Sequence, residues 1–390
     1  MSALEHIVIV GSSLAGVRGA EELRRAGYRG RLSLVGKESH FPPFDRPPLS
    51  KEVLTSKWTL EEARLRLFEE LDAETHLGDP AIGLDLERRT VSLQGGDGLS
   101  FDGLMIATGA GVRRLRCPGA ELPGVVYFRD AEDCIQLRDR FPHRPRVAIV
   151  GAGFIGSELA AACRGIGLEV TIIDTARLPL EPQLGTQIAA HFMNKHRERG
   201  VDLKLEVGIA SIEGDETVEA VRLSDGSTVA ADVVIAGIGV VPATDWLDGS
   251  GLTIDSGVLC DEHCRALGAE RVVAAGDVAK WLHPGYGRVM RVEHWTNAVQ
   301  QAEYAAHALL GEIGAGYRSI PYFWSDQYDM HMQFAGITGD SSEIVEGSLE
   351  DERFVVEYRD GERPVGALTV NWAAQFQRRR RALAQALLAS

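Results

Sequence analysis

Three features are missing from this sequence of 390 residues. None of its five cysteines belongs to a Cys-x-x-Cys pair, which argues against chemistry on a redox-active dithiol. It has no excess of positive charge, since its formal net charge is -15. This argues against nonspecific nucleic-acid binding, because a phosphate backbone selects a basic surface. No apolar run approaches the length of a membrane span. The composition that remains, 45% hydrophobic, can fill substantial cores and predicts two or three domains.

The cysteines and the N-terminal apolar stretch have structural interpretations. Cys260 and Cys264 are four residues apart, a spacing that suits a helical metal pair, but only His263 lies nearby in a loop-like segment. We therefore expect no metal site. Residues 7–10 are too short for the core of a signal peptide and run directly into a glycine turn. We interpret them as a strand and expect a cytoplasmic protein.

One nucleotide-binding signature occurs twice. Residues 6–16 read HIVIVGSSLAG and residues 146–156 read RVAIVGAGFIG. In such a unit the first glycine makes a tight turn, the second lets the backbone approach a pyrophosphate, and the third lets the helix pack on the strand. Two copies predict a protein that holds two dinucleotides and passes a hydride between them. Outside these turns the sequence shows no further repeat.

The first copy departs from the signature. Ser13 replaces its second glycine, but serine is small and can hydrogen-bond a phosphate, so we still expect a dinucleotide to bind, if less tightly. After a predicted strand at residues 31–35, Glu38 falls at about the distance where an acidic residue binds the adenosine ribose. Lys37 occupies a neighbouring position where an acid could equally lie, which leaves the ribose contact open.

The second copy predicts a preference for NADH. Its second strand, residues 169–173, is followed by Asp174. A carboxylate there can accept the ribose hydroxyls and would repel a 2′-phosphate. Arg177, three residues further on, could weaken this preference.

The remaining patterns divide the chain. Residues 41–51 form a proline-stiffened segment with two cations, interpreted as either a surface loop or a functional one. Strand patterns end near residues 109, 242 and 277, a helix pattern covers residues 297–310, and alternation after residue 319 predicts a small antiparallel sheet. We predict an α/β fold with two Rossmann-like dinucleotide-binding domains, residues 1–113 with 243–318 and residues 114–242, and a C-terminal α+β domain, residues 319–390.

Four short motifs in combination resemble the FAD-dependent, NADH-linked ferredoxin reductases of oxygenase and cytochrome P450 systems, which have a glutathione-reductase-like fold. They are DRPPLSK at residues 45–51, ATG at 107–109, GD at 276–277 and FWSDQY at 323–328. The likeness covers almost the whole chain. Lys37 departs from some relatives, which have an acid at that position.

The resemblance implies that the first domain binds FAD and the second binds NADH. The residues it places at FAD are Gly11, Ser13, Leu14, Ala15, Gly16, Lys37, Glu38, Arg46, Lys51, Ala81, Ala107, Thr108, Gly109, Arg129, Gly276, Asp277, Glu293, His294, Trp295 and Trp324. The residues it places at NADH are Gly151, Gly153, Phe154, Ile155, Gly156, Glu158, Asp174, Gly237, Ile238 and Gly239.

The resemblance also implies a mechanism in which NADH gives a hydride to the flavin and single electrons pass to a [2Fe-2S] ferredoxin. Lys51 is expected to place positive charge near the reacting ring, and a salt bridge to Glu158 near the nicotinamide is compatible with that role. Trp324 is expected to cover the flavin and line the electron exit, with a core role as the alternative. His294 is expected to be structural, since hydride transfer requires no side-chain proton relay.

An acidic reductase needs a local cationic face to dock an acidic ferredoxin. The candidate clusters are Arg113, Arg114 and Arg116, and the arginine run at residues 378–381. A solvated helix face is the alternative for the run. The leucines that follow, Leu383, Leu387 and Leu388, leave open a short membrane-surface helix, although we expect no membrane partner.

Two other functions stay open. The electron acceptor could be a quinone, a rubredoxin or oxygen in place of ferredoxin. A third hypothesis is an NADH-sensing interaction protein similar to apoptosis-inducing factor, for which the acidic charge offers little toward nucleic acid. The oligomeric state is open between a monomer and a weak homodimer.

Overall fold

The computed structural model describes residues 4–388, except for the side chain of Leu388. The elements up to residue 113 are β1 His6–Val10, α1 Leu14–Arg25, β2 Arg31–Gly36, β3 Glu74–Leu77, β4 Ala81–Asp85, β5 Thr90–Leu93, β6 Gly98–Ser100, β7 Gly103–Ile106 and β8 Ala110–Val112. Those from residue 114 to 242 are β9 Val125–Val126, α2 Ala131–Arg138, β10 Val147–Val150, α3 Phe154–Gly165, β11 Val170–Ile173, α4 Glu181–Leu184, α5 Thr186–Glu198, β12 Asp202–Lys204, β13 Ile209–Glu213, β14 Ala220–Leu223, β15 Thr228–Ala230, β16 Val233–Ala236 and β17 Val240–Pro242. The last are β18 Val258–Cys260, β19 Val272–Ala274, β20 Ala279–His283, β21 Arg288–Arg291, α6 Trp295–Leu309, β22 Tyr322–Gln327, β23 Met330–Gly336, β24 Ser341–Ser348, β25 Arg353–Asp360, β26 Arg363–Val370 and α7 Ala373–Leu388.

The first dinucleotide unit, β1 to β7, is a parallel sheet that β19 completes, in the order β19-β7-β1-β2-β3. All five residues of β1 are buried, as expected for a central parallel strand covered on both faces. Val10 pairs with Val35 and with Ile106, so three strands end at the edge where α1 begins. That edge is where open α/β sheets bind ligands.

The second dinucleotide unit, β10 to β16, repeats this plan. Its sheet has the order β12-β11-β10-β16-β9, with every pairing parallel. Val150 pairs with Ile173 and with Ala236, in the same relation to the start of α3. The carboxyl ends of the strands again meet beside a helix N-terminus.

The repeat extends beyond the glycine turns. Each unit carries a three-stranded antiparallel sheet just before its returning strand, β4-β5-β6 in the first and β13-β14-β15 in the second. The two sheets have identical burial patterns, strand by strand. The prediction of no further repeat was therefore wrong. These strands depend on an alternation of buried and exposed positions. Many different residues can satisfy that alternation, so the structural repeat leaves little trace in the sequence.

A two-stranded ribbon joins the units, since β8 pairs antiparallel with β17. The chain enters the second unit after β8 and returns through β17. This topology supports domain boundaries near residues 113 and 242, which stay a prediction, as does the boundary near residue 318.

The C-terminal sheet is antiparallel, in the order β22-β23-β26-β25-β24. Helix α7 covers one face, with Leu383 and Leu387 buried in a cluster with Ala335 and Ala367. The membrane-surface interpretation of this tail was therefore wrong for these two leucines, because they face the sheet. The Leu388 part of that interpretation lies outside the described side chains. The other face packs on the second unit, where Tyr358 Oη donates to the Leu184 carbonyl at 2.9 Å.

The proline-stiffened segment is only partly irregular. It ends in one π-helical turn, Leu49–Val53, whose Leu49 and Val53 are buried in the core of the second unit. The segment thus crosses from one nucleotide unit to the other and brings Lys51 with it. Within residues 4–388, no helix has the length and hydropathy that crossing a bilayer needs.

Candidate active site

The first glycine turn has no room for side chains at two positions. Gly11 has a φ of +121°, and a Cβ there would lie 2.1 Å from the carbonyl oxygen of Ala107. A Cβ on Gly16 would lie 1.7 Å from the carbonyl oxygen of Gly11. Glycine is therefore required both for the turn and for the contact between helix and strand.

The second turn has the same geometry. A Cβ on Gly151 would lie 2.4 Å from the Gly237 carbonyl oxygen, and one on Gly156 would lie 2.0 Å from the Gly151 carbonyl oxygen. Phe154 and Ile155 open α3 directly after the turn, and 48% of Ile155 is exposed. The two turns are equivalent in backbone as well as in sequence.

The middle positions of the two turns, Ser13 and Gly153, carry no steric requirement for glycine. Nothing lies within 4 Å of a Cβ built on Gly153. Ser13 is the N-cap of α1 in an extended conformation, with φ of -90° and no side-chain cap hydrogen bond. Neither α1 nor α3 has an acidic residue in its first turn, so both helix N-termini can accept an anion. The backbone at Ser13 has a negative φ, which serine adopts without strain, and Leu14 and Ala15 are the first two residues of α1.

The remaining predicted FAD residues of the first sheet line the same edge. Ala107 donates its N–H to the Val10 carbonyl at 2.7 Å, and Thr108 Oγ1 donates to the Ala243 carbonyl at 2.9 Å just before Gly109. Gly276 follows β19, and a Cβ there would lie 3.1 Å from Ala15 Cβ. In the second unit Gly237, Ile238 and Gly239 follow β16 in the corresponding place.

The acid after the second strand differs between the units. Because Val35 and Ile173 occupy equivalent pairings, Asp174 corresponds to Gly36. A Cβ on Gly36 would lie 1.9 Å from Ser12 Oγ, which prevents an acid at that position. The first unit has its acid two residues later, at Glu38.

The two carboxylates have different partners. Asp174 accepts the backbone N–H groups of Ala152 at 2.7 Å and Ala176 at 2.8 Å, which orients it beside the glycine turn. Glu38 faces Arg46 instead, at 3.2 Å. Lys37 is exposed. The structure thus places Asp174 beside the second glycine turn, and the ribose contacts of both Asp174 and Glu38 stay predictions.

Two arginines converge at the edge of the first sheet. Arg129 pairs with Asp277 at 2.9 Å, and its Nε has no hydrogen-bond partner within residues 4–388. Burial, and then the neighbouring charge of Arg129, lower the pKa of Arg46. A phosphate group could accept a hydrogen bond from Arg129 Nε and would offset the repulsion between the two guanidinium groups. This cluster therefore fits a dinucleotide pyrophosphate. Ala81 opens β4, four residues after the end of β3 in the first sheet, and its contact with FAD stays a prediction.

An aromatic group lies beyond the arginines. Trp295 Nε1 donates to Asp45 Oδ1 at 2.7 Å, and its ring centroid is 6.2 Å from that of Trp324 in an edge arrangement. Burial lowers the pKa of His294 to about 4, so it is neutral, and its Nδ1 has no partner in the described part of the chain. Glu293 pairs with Arg291 at 2.6 Å.

Glu158, Lys51 and the motif around Trp324 meet where three parts of the chain come together. Glu158 of α3 lies 3.3 Å from Lys51 Nζ and accepts the Ser50 and Ser325 hydroxyls, each at 2.9 Å. Lys51 Nζ also lies 3.1 Å from Asp326 Oδ2. The predicted salt bridge between Lys51 and Glu158 is therefore present, and Lys51 joins two acids from different domains.

The electrostatics of this cluster hold the positive charge on Lys51. Burial alone would lower its pKa, but the charges of Glu158 and Asp326 outweigh burial and raise it. Burial raises the pKa of Glu158, against the opposing effects of Lys51 and the two serine hydroxyls. For Asp326, the hydrogen bond from His331 and the charge of Lys51 outweigh burial and lower the pKa.

Sequence reasoning missed four members of the site, namely Ser50, Ser325, Asp326 and Asp45. All four belong to the two motifs, DRPPLSK and FWSDQY, that carry the resemblance. The motifs were therefore a sufficient signal for them. What the sequence did not show is that Ser50 and Ser325 donate to the same carboxylate.

Cysteine takes no part in this arrangement. All five cysteines are free, and four are buried. Burial raises the pKa of Cys134 to about 11 and that of Cys260 to about 12, and it raises the pKa of Cys264 strongly. These thiols are protonated and unreactive at neutral pH.

The two arginine clusters proposed for docking differ in environment. Arg113 and Arg116 are exposed, and Arg114 lies 4.8 Å over the Tyr127 ring. In the run on α7, Arg379 is bound inside the domain by Glu346 and Glu357 at 2.7 and 2.9 Å. The run is therefore not a uniform solvated face. Arg380 lies over the Tyr322 ring at 4.9 Å, and that ring contacts Trp324, while Arg378 and Arg381 are exposed.

The geometry defines a class of protein: an oxidoreductase that binds two dinucleotides on two Rossmann-like units and closes the junction with a third domain. A family model described as pyridine nucleotide-disulphide oxidoreductase matches residues 5–302, and one described as reductase C-terminal matches residues 322–389. The chain belongs to the pyridine nucleotide-disulphide oxidoreductase family, within its group of ferredoxin reductases. It is an FAD- and NAD(H)-dependent enzyme of that family.

Individual relatives agree with this assignment. The chain is 37% identical to rhodocoxin reductase of Rhodococcus erythropolis over 383 residues, which cover 97% of the chain and 89% of the relative. It is 34% identical to putidaredoxin reductase of Pseudomonas putida, covering 96% and 91%. The structure matches the reductase in a covalent putidaredoxin reductase–putidaredoxin complex with a TM-score of 0.92 at 32% identity, covering 98% of this chain and 93% of that one.

Proposed function

We propose that the protein is an NADH-dependent ferredoxin reductase, which moves a hydride from NADH to FAD and delivers single electrons to a [2Fe-2S] ferredoxin. That ferredoxin would serve a cytochrome P450 or a Rieske oxygenase. The observation that carries the proposal is the position of Lys51, which joins Glu158 of the second dinucleotide unit to Asp326 of the C-terminal domain beside Trp324. We also propose a cytoplasmic location, where NADH is available, and a monomer or weak homodimer.

The site fits both cofactors through different features. For FAD, these are the first glycine turn, the arginine cluster of Arg46 and Arg129, and the unpaired Nδ1 of His294. For NADH, they are the second turn with Asp174 and the open space at Gly153. Bound FAD supplies the conversion between a two-electron donor and one-electron acceptors.

Lys51 provides fixed positive charge at the junction. Its Nζ is held by two carboxylates from opposite sides, so little reorganisation is needed when negative charge develops nearby. Glu158 is itself held by two serine hydroxyls and by the Asp326 N–H at 3.2 Å. These contacts orient Lys51 and exclude water from the junction.

The C-terminal domain offers the electron exit and a docking face. Trp324 contacts Trp295 on one side and Tyr322 on the other, with ring centroids 6.2 and 5.9 Å apart. Arg380 lies over Tyr322, and Arg378 and Arg381 are exposed on the same helix. We infer that an acidic ferredoxin docks here in preference to the cluster at Arg113, because this cation group adjoins the aromatic path.

The test is NADH-driven cytochrome c reduction by the FAD-loaded protein, with and without an added [2Fe-2S] ferredoxin. We expect a large stimulation by ferredoxin. Rapid flavin reduction without stimulation by several ferredoxins would instead favour a quinone, a rubredoxin or oxygen as acceptor. Slow flavin reduction with NADH-dependent dimerisation would favour the interaction-protein hypothesis.

Two variants test the parts of the site separately. Lys51→Gln is expected to slow flavin reduction by NADH about 100-fold, because it removes the charge that stabilises the transition state. Lys280→Gln, which removes a surface lysine paired with Asp255 at 2.7 Å, is the control and should leave the rate unchanged. Arg381→Glu is expected to raise the KM for ferredoxin about tenfold, and Arg113→Glu to leave it within about twofold.

A further inference from the structure

Delivery of single electrons leaves a proton behind. Each NADH gives up two electrons and one hydrogen as a hydride. When two one-electron acceptors have each taken one electron, one proton per NADH remains at the active site. The hydride step itself needs no relay, but this proton has to reach water, and the junction around Lys51 is largely closed to solvent, with 13% of the lysine side chain exposed.

Three titratable side chains lead from this junction to the surface. Lys51 Nζ lies 3.1 Å from Asp326 Oδ2, and the other carboxylate oxygen, Oδ1, lies 2.5 Å from His331 Nδ1. The exposed fraction of these side chains rises along the series, from 13% for Lys51 to 39% for Asp326 and 45% for His331. Each neighbouring pair is within hydrogen-bonding or ion-pair distance.

We propose that Asp326 and His331 form the proton exit of the enzyme, an inference that rests on the proposed function. As Lys51 takes up a proton from the active site, one of its own N–H bonds breaks and an O–H bond forms at Asp326 Oδ2, so the ammonium group keeps its charge. At rest the neutral His331 ring donates its Nδ1–H to Asp326. The ring turns so that its unprotonated Nε2 faces the carboxyl group, an N–H bond forms at Nε2 as the O–H bond breaks, and the N–H bond at Nδ1 then breaks to give a proton to water. The two nitrogens exchange roles in the next cycle. The chain thus carries one proton per NADH and needs no other reactant.

The elements around His331 fix its position. Its backbone N–H donates to Asn371 Oδ1 at 2.8 Å, and its carbonyl accepts the Asn371 N–H at 3.0 Å. The charged groups that face Asp326 are Lys51 and His331, with Glu158 bound to the Asp326 backbone N–H. Glu158 is itself 5% exposed and cannot release a proton to water.

The two relay groups have complementary roles. Asp326 is ionised at neutral pH because His331 and Lys51 lower its pKa, so it holds a proton only in passing. An imidazole ring has one nitrogen that can accept a proton and one that can release a proton, and 45% of the His331 side chain is exposed to water. His331 therefore accepts the proton that the Asp326 carboxyl group holds only briefly.

The test follows proton release with a pH-indicator dye in a stopped-flow experiment on the FAD-loaded protein. NADH is the donor and ferricyanide, a one-electron acceptor that needs no docking face, is the acceptor. Proton release is read separately from flavin absorbance. In the wild type we expect release to keep pace with flavin reoxidation. In His331→Gln, which retains hydrogen bonding but carries no proton, we expect release about tenfold slower, and added imidazole should restore it.

Two further variants complete the design. His307→Gln is the matched control, because His307 is also a half-exposed histidine paired with carboxylates, Glu312 and Glu22, on another domain. It should behave as wild type. Asp326→Asn should be slow and should not respond to imidazole, because the proton no longer reaches the histidine position.

The outcomes separate the relay from the proposed function. Release in His331→Gln within about twofold of wild type would overturn the relay, and so would slow release confined to Asp326→Asn, which would show that the carboxyl group gives protons directly to water. Failure of imidazole to restore His331→Gln would also overturn it. A wild type that reduces ferricyanide but no ferredoxin would refute the proposed acceptor and leave the relay result standing.

Discussion

The two dinucleotide units have the same backbone and solve the same problem with different residues. Both need glycine at the first and third positions of the turn, where a Cβ would meet a carbonyl oxygen at 1.7 to 2.4 Å. They differ where the space is open, with Ser13 in one and Gly153 in the other. They differ again in the acid, since Asp174 has no counterpart at Gly36. Where a Cβ would collide with the backbone, the position must be glycine. Where it would not, other residues fit, and the requirements of the bound dinucleotide select among them.

The strongest way to test this comparison is to fill the closed positions. Gly16→Ala should abolish FAD retention, and Gly156→Ala should weaken NADH binding by at least about 100-fold while FAD is retained, because each Cβ would displace its own turn. Flavin content after purification and NADH titration of the flavin-loaded protein measure the two effects. Equal loss of both cofactors in each variant would contradict independent units.

The next largest effect concerns the stability of the fold at acid pH. The second unit contains a buried histidine whose protonation would destabilise it. His196 of α5 is buried, with Nδ1 2.8 Å from Tyr328 Oη, and burial lowers its pKa to about 4. Unfolding frees it to titrate near 6.5, so stability is complete above that pH and falls as pH decreases toward 4. The loss is about 3 kcal/mol over this range.

The measurement is urea unfolding of wild type and His196→Gln between pH 7 and 4.5. The variant should lose less free energy of unfolding than wild type over this range, whatever its stability at pH 7. Parallel pH profiles for the two proteins would show that His196 does not contribute. In the first unit, burial also lowers the pKa of His6, and His6→Gln provides the comparison.

A smaller effect is expected from the acids. Asp174→Asn should raise the KM for NADH about tenfold and narrow the preference over NADPH, because it removes the carboxylate beside the turn. Glu38→Gln should change FAD affinity less, since its carboxylate is already bound to Arg46. Steady-state kinetics with both nucleotides give the first value, and FAD titration of the apoprotein gives the second. Equal efficiency of wild type with NADH and NADPH would refute the assignment of Asp174.

The smallest effect is expected where space is open. Ser13→Gly and Gly153→Ser exchange the middle residues of the two turns, and neither backbone has a φ that requires glycine. Each should change the affinity for its own dinucleotide by less than about fivefold, or about 1 kcal/mol. A large loss of FAD in Ser13→Gly would show that the Ser13 hydroxyl is an essential phosphate ligand.

Most of the fold could be predicted, because most of its elements depend on interactions between residues close together in the sequence. The glycine turns, the buried strands at residues 6–10 and 147–150, and the α1 and α3 helices follow from short-range steric rules and hydrophobic periodicity. The antiparallel sheets β4-β5-β6 and β13-β14-β15 were missed as a repeat because the residues they share are few and scattered, such as Val91 and Leu93 in the first and Val221 and Leu223 in the second. The packing of Leu383 and Leu387 was misjudged because an amphipathic helix has the same pattern on a sheet as on a membrane.

The amino-acid sequence is enough to predict that this protein binds two dinucleotides, because a tight turn and a close approach of helix to strand tolerate no side chain. The arrangement of the side chains at the junction depends instead on the packing of distant segments. Ser50 and Glu158 are 108 residues apart in the chain, and Asp326 lies 168 residues beyond Glu158. Their contacts, and the path from Lys51 through Asp326 to His331, arise from the packing of three domains. No local pattern encodes the side-chain contacts of Glu158, because each one joins segments that are more than 100 residues apart in the chain.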